Sequence, residues 1–181
     1  MSLTGNYISM VFTGLLNNLL VMVLASIVPA GVGIGLTFLM KSVGTKGIRL
    51  PFRIIGAVFY SLAPITLLLV LFFWTFARST LTMPSVVIAL MISHLGYFAM
   101  RFDKEASVGK NIVVNSLGLL SSTFMWSMAS GYIGFNDVVH AGNQIRGITF
   151  DPGILFVVLM VTFVVLAALN VPRMILKETM K

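Results

Sequence analysis

Five long uncharged runs dominate the chain, and the segments between and after them hold all of its charged residues. Each run has at least 20 residues, enough for an α-helix rising about 1.5 Å per residue to cross a hydrocarbon core of about 30 Å. No run alternates like a membrane β-strand, and in lipid a segment must satisfy its own backbone hydrogen bonds. We therefore predict an all-α fold: one membrane domain, residues 1–181, with five transmembrane helices over residues 8–40, 54–77, 79–100, 111–136 and 153–172.

The first run is longer than a bilayer requires. Its 33 residues would form a helix of about 50 Å, which must tilt, project into water or break near Pro29. We expect one long helix, because residues 29–31 offer no polar turn. The adjacent amides of Asn17 and Asn18 require that at least one of them faces another helix, and the glycines within residues 31–35 predict close helix packing.

Two features modify the other helices. Pro64 removes a backbone donor in the middle of the second run, so we predict a kink there. After the fourth run, a polar segment predicts a short external helix over about residues 136–146, with Asn136 or Asp137 as its N-cap and Gly147 as its stop.

Composition and charge agree with a membrane protein and orient it. A hydrophobic content of 58% and a mean hydropathy of +1.03 exceed what a soluble domain uses. With the N-terminus outside and the C-terminus cytoplasmic, ten of the twelve Lys and Arg residues face the cytoplasm and only Arg78 and Arg146 face outside, as the positive-inside rule requires. The basic residues are spread over short loops, which disfavours nucleic acid and favours contact with anionic lipid.

The titratable residues limit the chemistry that the chain can perform. With no cysteine and two isolated histidines, we expect no metal, no cofactor and no catalytic residue. His94 is the only titratable side chain well inside a predicted span, and such groups mark proton or substrate pathways. The alternative is an imidazole hydrogen-bonded to a neighbouring helix, which we favour slightly because no carboxylate lies in any span.

The fourth run is rich in small and hydroxyl side chains, which predicts a helix that is surrounded by protein or lines a wet path. Our hypothetical substrate path combines residues from three runs, namely His94, Asn115, Ser122, Trp126 and Pro64.

Four stretches of the chain occur in a familiar order. They are FTGLLNNLLVMVLAS with the glycines after it, KGIRL, VVIALMISHLGYFA and GYIGFNDVVHAGNQIRGITFDP. Over nearly its whole length the chain resembles the permease subunits of bacterial ABC importers, most closely the polar amino-acid uptake branch. The strongest match lies in the last stretch, at Ile133, Gly134, Asp137, Ala141, Gly142, Ile145, Thr149 and Phe150.

The resemblance implies a multi-pass subunit of the bacterial cytoplasmic membrane that forms half of a path for amino acids or similar small polar solutes. It implies three kinds of partner: a second permease, identical or different; a cytoplasmic ATPase, reached directly or through that permease; and an extracytoplasmic solute-binding protein. The family contacts its ATPase through a cytoplasmic loop, to which Asp103, Lys104, Glu105, Ala106 and Gly109 would correspond.

The same loop is where the chain departs from the family. Residues 101–110 are the most densely charged segment of the chain, but they are compressed, and ten helical residues extend only about 15 Å. Met100 also replaces a family Glu, and Ser61-Leu62-Ala63-Pro64 replaces Arg-Gly-Thr-Pro. An alternative is therefore a non-transporting structural or regulatory subunit that keeps the permease shape, and a third is the substrate-capturing subunit of a vitamin importer. The short loop favours the structural subunit, whereas the intact segment 131–151 favours the permease.

Overall fold

The computed structural model describes residues 3–42, 46–61, 64–74, 82–101 and 107–179. Every regular element in these ranges is helical, and none is a strand, which confirms the all-α prediction for this part of the chain. The helices are α1 (Leu3–Ser42), α2 (Lys46–Ser61), α3 (Pro64–Trp74), α4 (Met83–His94), α5 (Tyr97–Arg101), α6 (Val108–Ala129), α7 (Val138–Thr149) and α8 (Gly153–Glu178). A 3-10 turn, Ser130–Ile133, follows α6 directly.

Three helical stretches are long and apolar enough to cross a membrane, by length and composition. They are Gly5–Leu39 within α1, Val108–Thr149 from α6 to α7, and Gly153–Glu178 in α8. The apolar helix α4 is shorter. Three candidate spans with these compositions indicate a membrane protein.

The first run forms a single helix of 40 residues that continues through Pro29. At about 1.5 Å per residue, α1 is about 60 Å long, twice the thickness of a hydrocarbon core. The helix must therefore tilt or project beyond the lipid. Of the three glycines in the last third of α1, Gly33 is packed tightly: a Cβ there would overlap the ring of Phe98, whereas Gly31 and Gly35 have no described atom within 4 Å.

The second and third runs each contain two of the described helices. Pro64 is the first residue of α3, a position that tolerates proline, and α2 ends at Ser61; residues 62 and 63 lie outside the described ranges. The third run was predicted as one helix, but a turn at Leu95 and Gly96 separates α4 from α5. A Cβ on Gly96 would overlap the backbone carbonyl oxygen of Gly56, so glycine allows this turn to lie against α2.

The short polar segment forms α7, which is longer than predicted. Asp137 is the N-cap, as the sequence indicated, but the helix continues past Gly147 to Thr149, so the predicted stop at Gly147 is wrong. A glycine inside a helix costs only about 1 kcal/mol relative to alanine. The helix ends instead at Phe150, which has a left-handed backbone (φ 58°) and donates its N–H to the carbonyl of Arg146 at 2.8 Å.

Helix α6 lies at the centre of the bundle, packed against α1, α4 and α8. One apolar cluster joins α1, α3 and α4 to the segment after α6, through Val21, Ala25, Leu68, Val86, Ala89, Leu90 and Phe135. A second cluster consists of Tyr97, Phe98 and Leu119. The interior also contains buried polar side chains, among them Asn18, His94 and Asn115, and these residues belong to the candidate site.

Candidate functional site

The polar side chains of α6 bind several different neighbouring helices. On the side facing α1, Asn18 Nδ2 donates to Ser127 Oγ at 2.8 Å and Ser26 Oγ donates to Thr123 Oγ1 at 3.2 Å. The hydroxyls of Thr123 and Ser127 also donate to carbonyl oxygens one turn earlier in α6. A hydroxyl has one donor and two acceptor sites, so both groups are satisfied within the protein.

His94 connects α4 to α6. Its Nε2 lies 3.0 Å from Ser122 Oγ, and its Nδ1 lies 2.8 Å from the carbonyl oxygen of Leu90. Nδ1 also lies 3.0 Å from Ser93 Oγ. Because a carbonyl only accepts, the bond to Leu90 requires the neutral tautomer that carries its proton on Nδ1, and in that tautomer Nε2 accepts from the Ser122 hydroxyl. The imidazole is 2% exposed. This is the geometry of the alternative in which His94 is hydrogen-bonded to a neighbouring helix.

Two more contacts extend the network along α6. Asn170 of α8 donates to Ser121 Oγ at 2.9 Å. Nearer the start of α6, Asn115 Nδ2 lies 3.2 Å from the carbonyl oxygen of Arg101 and 2.8 Å from Asn111 Oδ1. Polar side chains of α6 are thus hydrogen-bonded to α1, α4, α5 and α8.

A second polar centre lies where α1 meets the start of α7. Asn18 uses both ends of its amide: Nδ2 donates to Ser127, and Oδ1 accepts the backbone N–H of Val138 at 3.0 Å. Asn17 Nδ2 donates to the carbonyl of Asn136 at 2.7 Å. The prediction that at least one of these amides faces another helix is confirmed, and the two together attach α1 to the first turn of α7.

Asp137 completes this junction. Its carboxylate is fully buried, Oδ1 accepts the N–H of His140 at 2.7 Å, and Oδ2 has no hydrogen-bond partner among the described residues. Two glycines make room for it. A Cβ on Gly131 would overlap Asp137 Oδ1, and a Cβ on Gly14 would lie 2.5 Å from the Asp137 carbonyl oxygen. The junction therefore tolerates no larger residue at either glycine without moving apart.

In the middle of α6, a glycine again allows polar groups to approach. Arg101 donates to the hydroxyl of Tyr97 at 2.7 Å, and its guanidinium lies 4.3 Å from the centre of that ring. A Cβ on Gly118 would overlap the Tyr97 hydroxyl and lie 2.8 Å from the guanidinium carbon of Arg173. The middle of α6, the last turns of α8 and helix α5 meet at this position.

The described structure shows where each of the five hypothetical path residues lies. His94 and Ser122 are bonded to each other, and Asn115 lies about two turns earlier on α6. Trp126 packs against the larger apolar cluster, and Pro64 is buried at the start of α3. Of the residues matched to the family's coupling loop, Gly109 is exposed in the first turn of α6, and Asp103, Lys104, Glu105 and Ala106 lie outside the described ranges.

Two open grooves flank α7. One, of about 670 Å³, is bounded by the first turns of α1 and α8. The other, of about 630 Å³, lies between α6, α7 and α8 and has Arg146 and Asn143 in its wall. None of the five hypothetical path residues lines either groove. The sequence reasoning did not find these grooves, because they depend on how α7 folds back against α8.

Comparison of the chain with protein-family models, with curated proteins and with solved structures found no match.

Proposed function

We propose that the chain is a permease-type subunit of the bacterial cytoplasmic membrane, and that it forms half of a path for amino acids or similar small polar solutes. The second half would come from another permease subunit, with energy from a cytoplasmic ATPase and delivery by an extracytoplasmic solute-binding protein. In this proposal the α2–α3 pair and the α4–α5 pair each cross the membrane. Together with α1, α6 and α8 they give five spans, with the N-terminus outside.

The observation that supports this proposal is the structure of the segment that carries the resemblance. Its matched positions adopt specialised conformations: Gly134 has a φ of 91°, Asp137 caps α7, and Phe150 ends α7 with a left-handed backbone. A Cβ on Gly142 would lie 2.7 Å from Val158 of α8, and Ala141 and Ile145 are buried. The matches are therefore positions that define one particular chain path between α6 and α8, and the proposal rests on the resemblance at these positions.

The polar interior supports a path that lies on the surface of this subunit. The buried hydroxyls and amides of α6 are bonded to α1, α4 and α8, so few of them remain to bind a solute. A path shared with a second subunit needs no interior channel in either one. We therefore propose that the solute passes between the two permeases.

Purification of the tagged protein in mild detergent from its native cells tests this proposal. We expect an ATPase and a second membrane subunit of similar size to elute with it in a fixed ratio. The control is a tagged, unrelated membrane protein of the same cells. A stable complex with an unrelated membrane enzyme, with no ATPase present, would contradict the proposal.

One observation favours the alternative of a non-transporting structural subunit. Helix α5 ends at Arg101 and α6 begins at Val108, so six residues connect them. Even fully extended, six residues span only about 20 Å, too little for a helical hairpin that protrudes towards an ATPase. In this alternative the chain would assemble with its partner within the membrane and transmit no motion from ATP hydrolysis.

A further inference from the structure

The groove between α6, α7 and α8 has one charged wall and two apolar walls. Val139, Asn143 and Arg146 line it from α7 at positions i, i+4 and i+7, which share one helix face. The opposite face of α7 carries Val138, Ala141 and Ile145, which are buried in the protein. The apolar face of α7 therefore packs into the protein, and Asn143 and Arg146 remain available to bind a ligand in the groove.

The walls from α6 and α8 are apolar. Met125 and Met128 line the groove from α6, and Leu155, Val158, Leu159 and Thr162 line it from the first turns of α8. From Leu155 to Thr162 the groove extends about 10 Å along α8. Since α8 is a candidate membrane span that begins at Gly153, the groove starts at the end of a span and runs inwards.

Arg146 supplies a positive charge at the outer end of the groove. Its side chain is exposed, and within the described part of the chain no carboxylate forms an ion pair with it. A short turn joins α7 to α8, so Arg146, three residues before the end of α7, lies towards the first turns of α8. Tyr132, which also lines the groove, is 77% exposed, and tyrosine is enriched at the membrane–water interface.

We propose that this groove binds one anionic phospholipid of the surrounding bilayer. Its phosphate interacts with Arg146 and Asn143, and the upper part of one acyl chain lies between α6 and α8. Charge complementarity selects an anionic headgroup, and the apolar walls select a molecule that carries a hydrocarbon chain. The volume of about 630 Å³ is within the range of about 300–1,000 Å³ typical of small-ligand sites. This proposal does not rest on the proposed transport function.

Photocrosslinking in nanodiscs tests the proposal. The purified protein is placed in phosphatidylcholine nanodiscs with a trace of photoactivatable phosphatidylglycerol or photoactivatable phosphatidylcholine, each reactive in the acyl chain. We expect phosphatidylglycerol to label the peptides that contain Met125, Met128 and Leu155 about fivefold more than phosphatidylcholine does, the preference expected from one basic residue near the surface. Equal labelling by the two lipids would overturn the proposal.

Three variants locate the site. Arg146→Gln should reduce the labelling by phosphatidylglycerol to the level of phosphatidylcholine, whereas Lys177→Gln, which removes the same charge at the far end of α8, should leave it unchanged. Leu159→Trp should reduce labelling by filling the groove while it retains Arg146. Wild-type labelling in Arg146→Gln would overturn the proposal, provided that gel filtration shows the variant to be folded.

Loss of labelling with excess soluble glycerol 3-phosphate would also overturn it, because the site would then bind a free anion.

Discussion

The side-chain oxygen of Asn18 lies 3.0 Å from the backbone nitrogen of Val138 and accepts its hydrogen bond, across 120 residues of sequence. The same amide donates to Ser127 at 2.8 Å. One fully buried side chain therefore joins α1 to both the end of α6 and the start of α7. It also satisfies a backbone N–H in the first turn of α7, where a helix cannot satisfy it internally.

Replacement of Asn18 by leucine should destabilise the protein more than replacement of Asn17. Asn18→Leu leaves a buried N–H without its acceptor, a loss of about 1–3 kcal/mol, whereas Asn17 is only partly buried and makes a single contact with Asn136. The midpoint of thermal unfolding in detergent, followed by fluorescence-detected gel filtration, measures both variants. Equal midpoints for the two variants would contradict the role given to Asn18.

Two glycines of α1 should respond in opposite ways to alanine. Gly14→Ala places a methyl group 2.5 Å from the Asp137 carbonyl oxygen, and such overpacking typically costs about 1–3 kcal/mol. Gly35→Ala in the same helix meets no atom within 4 Å, and should stabilise the helix by up to about 1 kcal/mol. The same unfolding assay compares them. A Gly14→Ala variant as stable as the wild type would mean that α1 and α7 are not in close contact.

These contacts show which parts of the fold could be predicted from sequence. The uncharged runs predicted an all-α fold. The polarity of Asn17 and Asn18 predicted that at least one of them contacts another helix, and the helix cap was predicted at Asn136 or Asp137. The pattern could not predict the break at Gly96, because that turn depends on the backbone of Gly56 in another helix. For the same reason it could not identify which of Gly31, Gly33 and Gly35 lies in close contact, and in the described structure only Gly33 of the three does.

The candidate site was predicted in part. Sequence reasoning selected His94 and Ser122 separately as polar residues at membrane depth, and the structure bonds them to each other. It could not assign their partners, because the hydroxyls of α6 point around the whole helix and periodicity does not identify the neighbour on each side. The grooves beside α7 were missed for the same reason, since their walls come from three helices.

A double-mutant cycle on His94 and Ser122 measures their interaction directly. We expect His94→Leu and Ser122→Ala to be coupled by about 0.6 kcal/mol, and by at most about 1.7 kcal/mol, the values typical of interhelical hydrogen bonds in membranes. Ser130→Ala is the matched control, because that buried hydroxyl donates to the carbonyl oxygen of Ser127 and not to His94. Additive effects of His94→Leu and Ser122→Ala on the free energy of unfolding would show that the hydrogen bond between these two side chains contributes nothing to stability.

Single cysteines in this cysteine-free chain report its orientation. Ser107 and Gly147 are both exposed, so neither replacement disturbs the core. With the N-terminus outside, an impermeant thiol reagent added to intact cells should label position 147 and spare position 107 until the membrane is permeabilised. Labelling of position 107 alone in intact cells would reverse the proposed orientation.

The proposed transport function is tested most directly by ATP-driven uptake in proteoliposomes. The complex is purified through a tag on its ATPase from cells with this subunit and from cells that lack it, and both preparations are reconstituted. Uptake of a labelled amino-acid mixture is then measured with ATP and with a non-hydrolysable analogue. We predict uptake that requires both ATP and this subunit. ATP-driven uptake of equal rate without the subunit would contradict the proposal that it forms half of the path.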